Sequence, residues 1–208
     1  MKKLCLVAVL SLAAARPAIA QSPVSRVTIQ AADPIVSSLT WTPLTADPKD
    51  DGVRKRLPDA SELAYAVDPK ADRVWFRISV HEPIHERWFG VNVAADVDGA
   101  PDSGMAWWGA NKIKFDRLAT AYVSSANGEW QGYVGVSDSE SVGRGQMSAL
   151  TRTVDIAVDR ARRTILLGIP RSTLGTAPTV RVIATVGSAV SYNDDIPNEG
   201  MVTVKLQP

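Results

Sequence analysis

The run Val74-Trp75-Phe76-Arg77-Ile78-Ser79-Val80 constrains the fold more than any other stretch. It alternates strictly. Val74, Phe76, Ile78 and Val80 share one face, while Arg77 and Ser79 turn the other way. That is the two-residue period of a half-buried strand, not the 3.6-residue period of a helix. Short runs of the same character follow the first strand at residues 63–67. They lie at 89–96, 118–123, 130–136, 154–158, 164–169, 179–186 and 201–206, with an edge strand expected at 26–29. Turn chemistry joins them: Asp68-Pro69-Lys70-Ala71-Asp72 before the alternating run, Asn127-Gly128 between two strands, and Asp159-Arg160-Ala161-Arg162 later. One short helical turn is expected at 170–174, with Pro170 at its start and Gly175 at its end. Gly143-Arg144-Gly145-Gln146 reads as a mobile loop. Regularly spaced strands without a sustained helical period predict an all-β fold, an antiparallel β-sandwich.

The ends bear on where such a sandwich works. Met1-Lys2-Lys3 is a basic head, residues 4–15 are apolar, and Ala18-Ile19-Ala20 is a small-x-small cleavage site. This is the pattern of a secretory signal peptide, too short to span a bilayer. The expectation is therefore an exported protein, periplasmic or extracellular, with one domain over residues 21–208. Cys5 falls in the signal, so the expected mature chain has no disulfide and its core rests on packing alone. Its length of about 188 residues is enough to bury roughly 70% of the unfolded surface. Of 23 basic residues, Lys2, Lys3 and Arg16 precede the cleavage site, leaving 20 against 22 acidic. Near-neutral charge without like-charge blocks argues against nucleic acid and anionic membranes as partners.

Between two of the strands lies the densest chemistry. Trp88 opens the strand at 89–96. Asp96-Val97-Asp98-Gly99 follows it, and Trp107, Trp108 and Asn111 sit in the Gly-rich loop beyond. An indole offers a flat polarisable face to the C–H side of a sugar ring, and polar neighbours then select hydroxyls. Trp107, Trp108, Asn111, Trp88 and Trp130 are accordingly the candidate carbohydrate contacts, and Trp75 the candidate cap of a sheet face. Asp96, Asp98 and Asp102 recur at i, i+2 and i+6 around Gly99. They are the first candidates for calcium, which takes carboxylate and backbone oxygens. Asp47, Asp50 and Asp51 form a second acidic group. Asn193, Asp194, Asp195 and Glu199 form a third. All of these are also ordinary turn residues.

His81-Glu82-Pro83-Ile84-His85 matches the H-E-x-x-H string of zinc proteases. That chemistry needs both imidazoles on one helix face, but the string follows a strand and Pro83 interrupts it. A looped haem or metal contact through His81, His85 or Met105 is the alternative use of these side chains. There is no G-x-S-x-G elbow, no mature cysteine nucleophile and no phosphate-binding glycine loop, so the expected role is non-catalytic.

The order of motifs resembles the family-nine carbohydrate-binding modules and the related DOMON-type sandwiches, over roughly residues 42–206. The similarity runs through the Asp-Pro-x-Asp-Asp-Gly loop, Pro58-Asp59-Ala60, Val74-Trp75-Phe76-Arg77-Ile78 and Phe89-Gly90-Val91-Asn92-Val93. It continues through Asp96-Val97-Asp98-Gly99 and Ile169-Pro170 before Leu174. The resemblance implies a jelly-roll-like sandwich with an aromatic ligand site and structural calcium, or haem in some DOMON relatives. The partner it implies is a glycan or other small ligand, with a partner protein as the remaining possibility.

Overall fold

The structure is a computed structural model that describes residues 24–109 and 111–207. The expected signal peptide lies outside the described residues. The strands, in chain order, are β1 (Ser25–Val27), β2 (Ile29–Ala31), β3 (Thr42–Ala46), β4 (Ala60–Asp68), β5 (Arg73–Val80), β6 (Trp88–Asp96), β7 (Met105–Ala106) and β8 (Lys114–Phe115). They continue as β9 (Arg117–Ala126), β10 (Glu129–Asp138), β11 (Asp155–Val158), β12 (Thr164–Pro170), β13 (Thr179–Gly187), β14 (Tyr192–Ile196) and β15 (Val202–Lys205). One sheet has the order β1-β10-β9-β6-β13-β14, with β15 also on β13; the other runs β2-β11-β12-β5-β4-β3. The β7–β8 hairpin stands apart. All pairings are antiparallel except β2 on β11. The fold is the all-β sandwich that the strand pattern predicts.

The main core lies between the sheets. Val74, Phe76, Ile78 and Val80 of β5 enter it as their alternation requires, facing Val91 and Val93 of β6 and Val182, Ala184 and Val186 of β13. The outer faces are covered as well. On the six-stranded sheet, helix α1 (Ala32–Ser38) lies over Trp75, Ala157 and Leu166. Trp75 caps that face, and Gly168 on β12 makes room for it: a Cβ there would sit 2.8 Å from the indole. On the seven-stranded sheet, the β7–β8 hairpin closes over Ala94, Leu118 and Ile183.

Several elements depart from the expectations. Helix α1 and strand β3 were not foreseen; β3 carries Pro43 and a register shift beside it, which suits only a sheet edge. The edge strand divides in two, β1 and β2, which join different sheets. Residues 143–146 are not a free loop. They close the short helix α2 (Ser139–Gly143), whose first turn is capped by Asp138 accepting from Ser141 N at 2.7 Å. Arg144, Gly145 and Gln146 each donate a backbone N–H back into it. The acidic stretch 193–195 is strand β14 rather than a turn. The short helical turn does form, at Arg171–Leu174.

Candidate functional site

The tryptophans separate into two kinds. Trp107 is buried, stacked on Trp108 at 4.3 Å and set edge-on to Phe115. Its Nε1 donates to Asp195 Oδ2 at 2.9 Å. With Trp108, half-buried above it, it plugs the outer face of the seven-stranded sheet. Asn111 is also buried, accepting from Gly200 N and donating to Pro197 O. Trp130 leans edge-on against Phe89 at the end of the main core. These rings stabilise the sandwich by filling space. The indole N–H of Trp107 also finds the partner that a buried tryptophan needs.

Trp88 differs. It opens β6, is half-buried, and stacks on the exposed His85 with ring centroids 4.3 Å apart and planes 10° from parallel. His85 Nδ1 accepts from Arg87 N at 3.1 Å. Both rings line a cleft of about 230 Å³ between the 81–88 loop and the 48–59 loop. Arg54, Lys55 and Arg56 stand on its far wall, exposed. None of the three makes an ion pair among the described residues. Lys49 pairs with Glu82 at 3.1 Å across the rim. His81 is drawn inward, its Nε2 lying 3.2 Å from the Asp47 carbonyl. The H-E-x-x-H string is therefore an irregular loop, not a helix, and its two histidines have separate surroundings. Met105, the other residue considered for haem, packs into the plug.

Two acidic groups have the geometry to hold a metal ion. In the first, Asp96 and Asp98 come together with Asp116, not with Asp102. Asp102 is exposed, and what it contributes is its carbonyl, which accepts from Lys114 Nζ at 2.7 Å. Asp116 takes its place because the β7–β8 hairpin returns the chain to β6, where Asp116 N donates to Ala95 O. This group is well supplied with donors. Arg181 Nε donates to the buried Asp96 Oδ2 at 2.9 Å, and its Nη2 reaches the same oxygen. Gly99 N donates to Asp96, and Val97 N to Asp116. The Ala100 N–H and the Ser103 hydroxyl hold the Asp98 carboxyl below its ordinary range.

The second group joins two stretches far apart in the chain. Asp47 and Asp51, on the loop before β4, meet Asp194 of β14, with one carboxylate oxygen from each lying within 4.8 Å of the others. Asn193 brings the loop there: its Oδ1 accepts from Arg54 N and its carbonyl accepts from Val53 N at 3.0 Å. Asp59 ties the loop to itself, accepting from Asp50 N and Gly52 N. Asn198 Nδ2 donates to Asp47 Oδ1 at 3.1 Å and to Asp51 Oδ2 at 2.7 Å, and Ala60 N donates to Asp194 Oδ2 at 2.6 Å. No arginine or lysine pairs with these three carboxylates among the described residues. Asp47 is 8% exposed and its Oδ2 has no hydrogen-bond partner. Burial pushes the Asp47 carboxyl up to about 8, and the charges of Asp194, Asp51 and Asp59 push the same way. Asp194 rises to about 6, again chiefly through burial, with the Ala60 N–H pulling it back.

Nothing in the spacing of Asp47, Asp51 and Asp194, or of Asp98 and Asp116, reveals these meetings. The His85–Trp88 stack had a faint signal, a histidine three residues before the strand that Trp88 opens. Among the described residues no helix is long and apolar enough to cross a membrane. Set against protein-family models, curated proteins and solved structures, the chain matches none of them.

Proposed function

We propose that this chain is an exported, non-catalytic β-sandwich that binds carbohydrate in the cleft beside Trp88, and that calcium is the ion its carboxylate donors suit. The observation that carries the reading is the His85–Trp88 stack in a cleft edged by charged side chains. A flat aromatic pair offers area to the apolar face of a sugar ring at little conformational cost. Arg54, Lys55 and Arg56 supply donors to hydroxyl and acidic substituents, and Asp50 supplies an acceptor. The likeness to family-nine carbohydrate-binding modules supports the same ligand class and the same ion. All-oxygen donor sets without cysteine or histidine suit a hard cation. Export rests on the pattern at residues 1–20.

A glycan array, followed by calorimetry with the best soluble sugar, tests the reading. Trp88→Ala is expected to weaken binding by about tenfold or more, as loss of an aromatic anchor does. Its melting temperature should stay close to that of the wild type, because Trp88 belongs to none of the core clusters. Trp108→Ala should leave the affinity unchanged. Failure of the wild type to bind any glycan in a sugar-competable way ends the carbohydrate reading.

A further inference from the structure

We propose that Asp47, Asp51 and Asp194 form a divalent-cation clasp that locks the 48–59 loop onto β14 and thereby sets the wall of the neighbouring cleft. The cation site stands on its own geometry; only its consequence for ligand binding rests on the carbohydrate reading above.

Asp47 Oδ2 is a buried carboxylate oxygen without a donor, in a residue that is 8% exposed. Leaving such an oxygen unsatisfied is costly, and native structures seldom do it without a reason. The oxygen belongs to a group in which two further carboxylates lie within 4.8 Å, one of them the 4%-exposed Asp194. Three like charges at that spacing, two of them largely out of water, repel strongly unless something positive lies between them. Arginine fills that need in the other acidic group, where Arg181 holds Asp96. Here the existing donors, Asn198 and the Ala60 N–H, are neutral and sit on other oxygens. A cation of calcium type satisfies Asp47 Oδ2 and neutralises the group in one step, with water completing six to eight oxygens.

The clasp and the cleft share one loop. Asp47 and Asp51 face the clasp, while Asp50, Gly52, Arg54, Lys55 and Arg56 line the cleft. Without the ion, repulsion between Asp51 and Asp194 works against the Asn193 contacts that hold this wall. With the ion, the wall is fixed before a ligand arrives, so ion and ligand should strengthen each other's binding. The rival occupant is a proton shared between Asp47 and Asp194.

Calorimetry of chelator-stripped protein with calcium chloride at pH 7 tests the clasp. One site should appear. Asp47→Asn should abolish the heat while melting no lower than wild type in chelator, since the amide mimics the protonated acid. Asp98→Asn, in the other acidic group, should leave the titration unchanged. No heat and no rise in melting temperature up to about 10 mM calcium, beyond the range of weak extracellular sites, would overturn the cation and leave the proton as occupant. Loss of the heat in Asp98→Asn but not in Asp47→Asn would place the ion elsewhere and overturn it equally. The coupling is read without any sugar, through tryptic cleavage at the exposed Arg54-Lys55-Arg56 run. Calcium should slow it at least about tenfold if it holds the wall. Calcium that binds without slowing cleavage would overturn the coupling. A measured calcium site with no glycan binding would sink the carbohydrate reading alone.

Discussion

The two acidic groups are alike in composition and opposite in electrostatics. Each sets three aspartates within a few ångströms, two buried and one exposed. Around Asp96 the surrounding structure supplies a guanidinium and several backbone N–H donors, and the charges are settled internally. Around Asp47 it supplies two neutral donors and more carboxylates, and burial raises two of the three acids. The lesson is that counting aspartates says little. What matters is whether the surrounding elements provide positive charge, and only the second group leaves that to something outside the chain. The same division runs through the tryptophans. Trp107 has all its capacity used within the fold, whereas Trp88 and His85 face a cleft.

Strand β14 carries both sides of the contrast on adjacent residues, because neighbours in a strand point to opposite faces. Asp194 reaches Ala60 N of the facing sheet, and Asp195 turns outward to Trp107. The largest expected effect follows from the outward side. Trp107→Ala empties the plug over Ala94, Leu118 and Ile183 and removes the donor to a buried carboxylate. It should cost about 3–5 kcal/mol, lowering the melting temperature by roughly 10 °C for a domain of this size. A near-wild-type melt would return Trp107 to the list of ligand contacts. Next is Arg181→Ala, which strands the 4%-exposed Asp96 without its cation. The arginine side chain is itself 47% exposed, so the loss should fall below that of a fully buried pair, at about 2–3 kcal/mol by denaturant titration. No loss would mean that the Asp96 group, too, is waiting for an ion.

Much of the scaffold was legible because it depends on local periodicity. The alternation in β5 and the Asn127-Gly128 turn between β9 and β10 follow from side-chain order and turn chemistry alone, and both hold in the structure. The candidate site was legible only in part, because its members meet through topology. Asp194 and Asp195 read as turn residues, since aspartate disfavours strands; in place, Asp194 accepts from Ala60 N of β4, 134 residues earlier, and Asp195 from the Trp107 indole. Asp102 has the right spacing for the Asp98 group, yet the chain leaves that position exposed and returns with Asp116 instead. Trp107 and Trp108 sit in a glycine-rich loop, which suggested exposure. The loop instead folds back on an apolar outer face that strand alternation, taken for a solvent side, concealed.

A smaller effect separates the two groups by pH. Asp47 and Asp194 have folded values of about 8 and about 6 against an ordinary 3.8. Raised acids bind more protons folded than unfolded, so their contribution is greatest at low pH and falls as pH rises from about 4 through 8. In chelator, stability should therefore decline between pH 5 and pH 8. Saturating calcium should flatten or reverse that slope, because the ion favours the ionised carboxylates. Asp47→Asn should flatten it in chelator as well. A flat wild-type profile without metal would mean that water, not repulsion, already compensates this group.

The smallest effect is expected where the charges are settled and exposed. Asp98 accepts from Ala100 N and from the Ser103 hydroxyl in a surface turn, and asparagine keeps an oxygen for those donors. Removing its charge leaves the Asp96–Arg181 pair in place and eases repulsion within the group. Asp98→Asn should therefore move the melting temperature by no more than about 2 °C, the scale of a neutral surface change, with or without calcium. A calcium-dependent drop in this variant would show that the turn donors do not suffice. The contrast between a group closed by its own arginine and one open to an outside cation would then have to be redrawn around both.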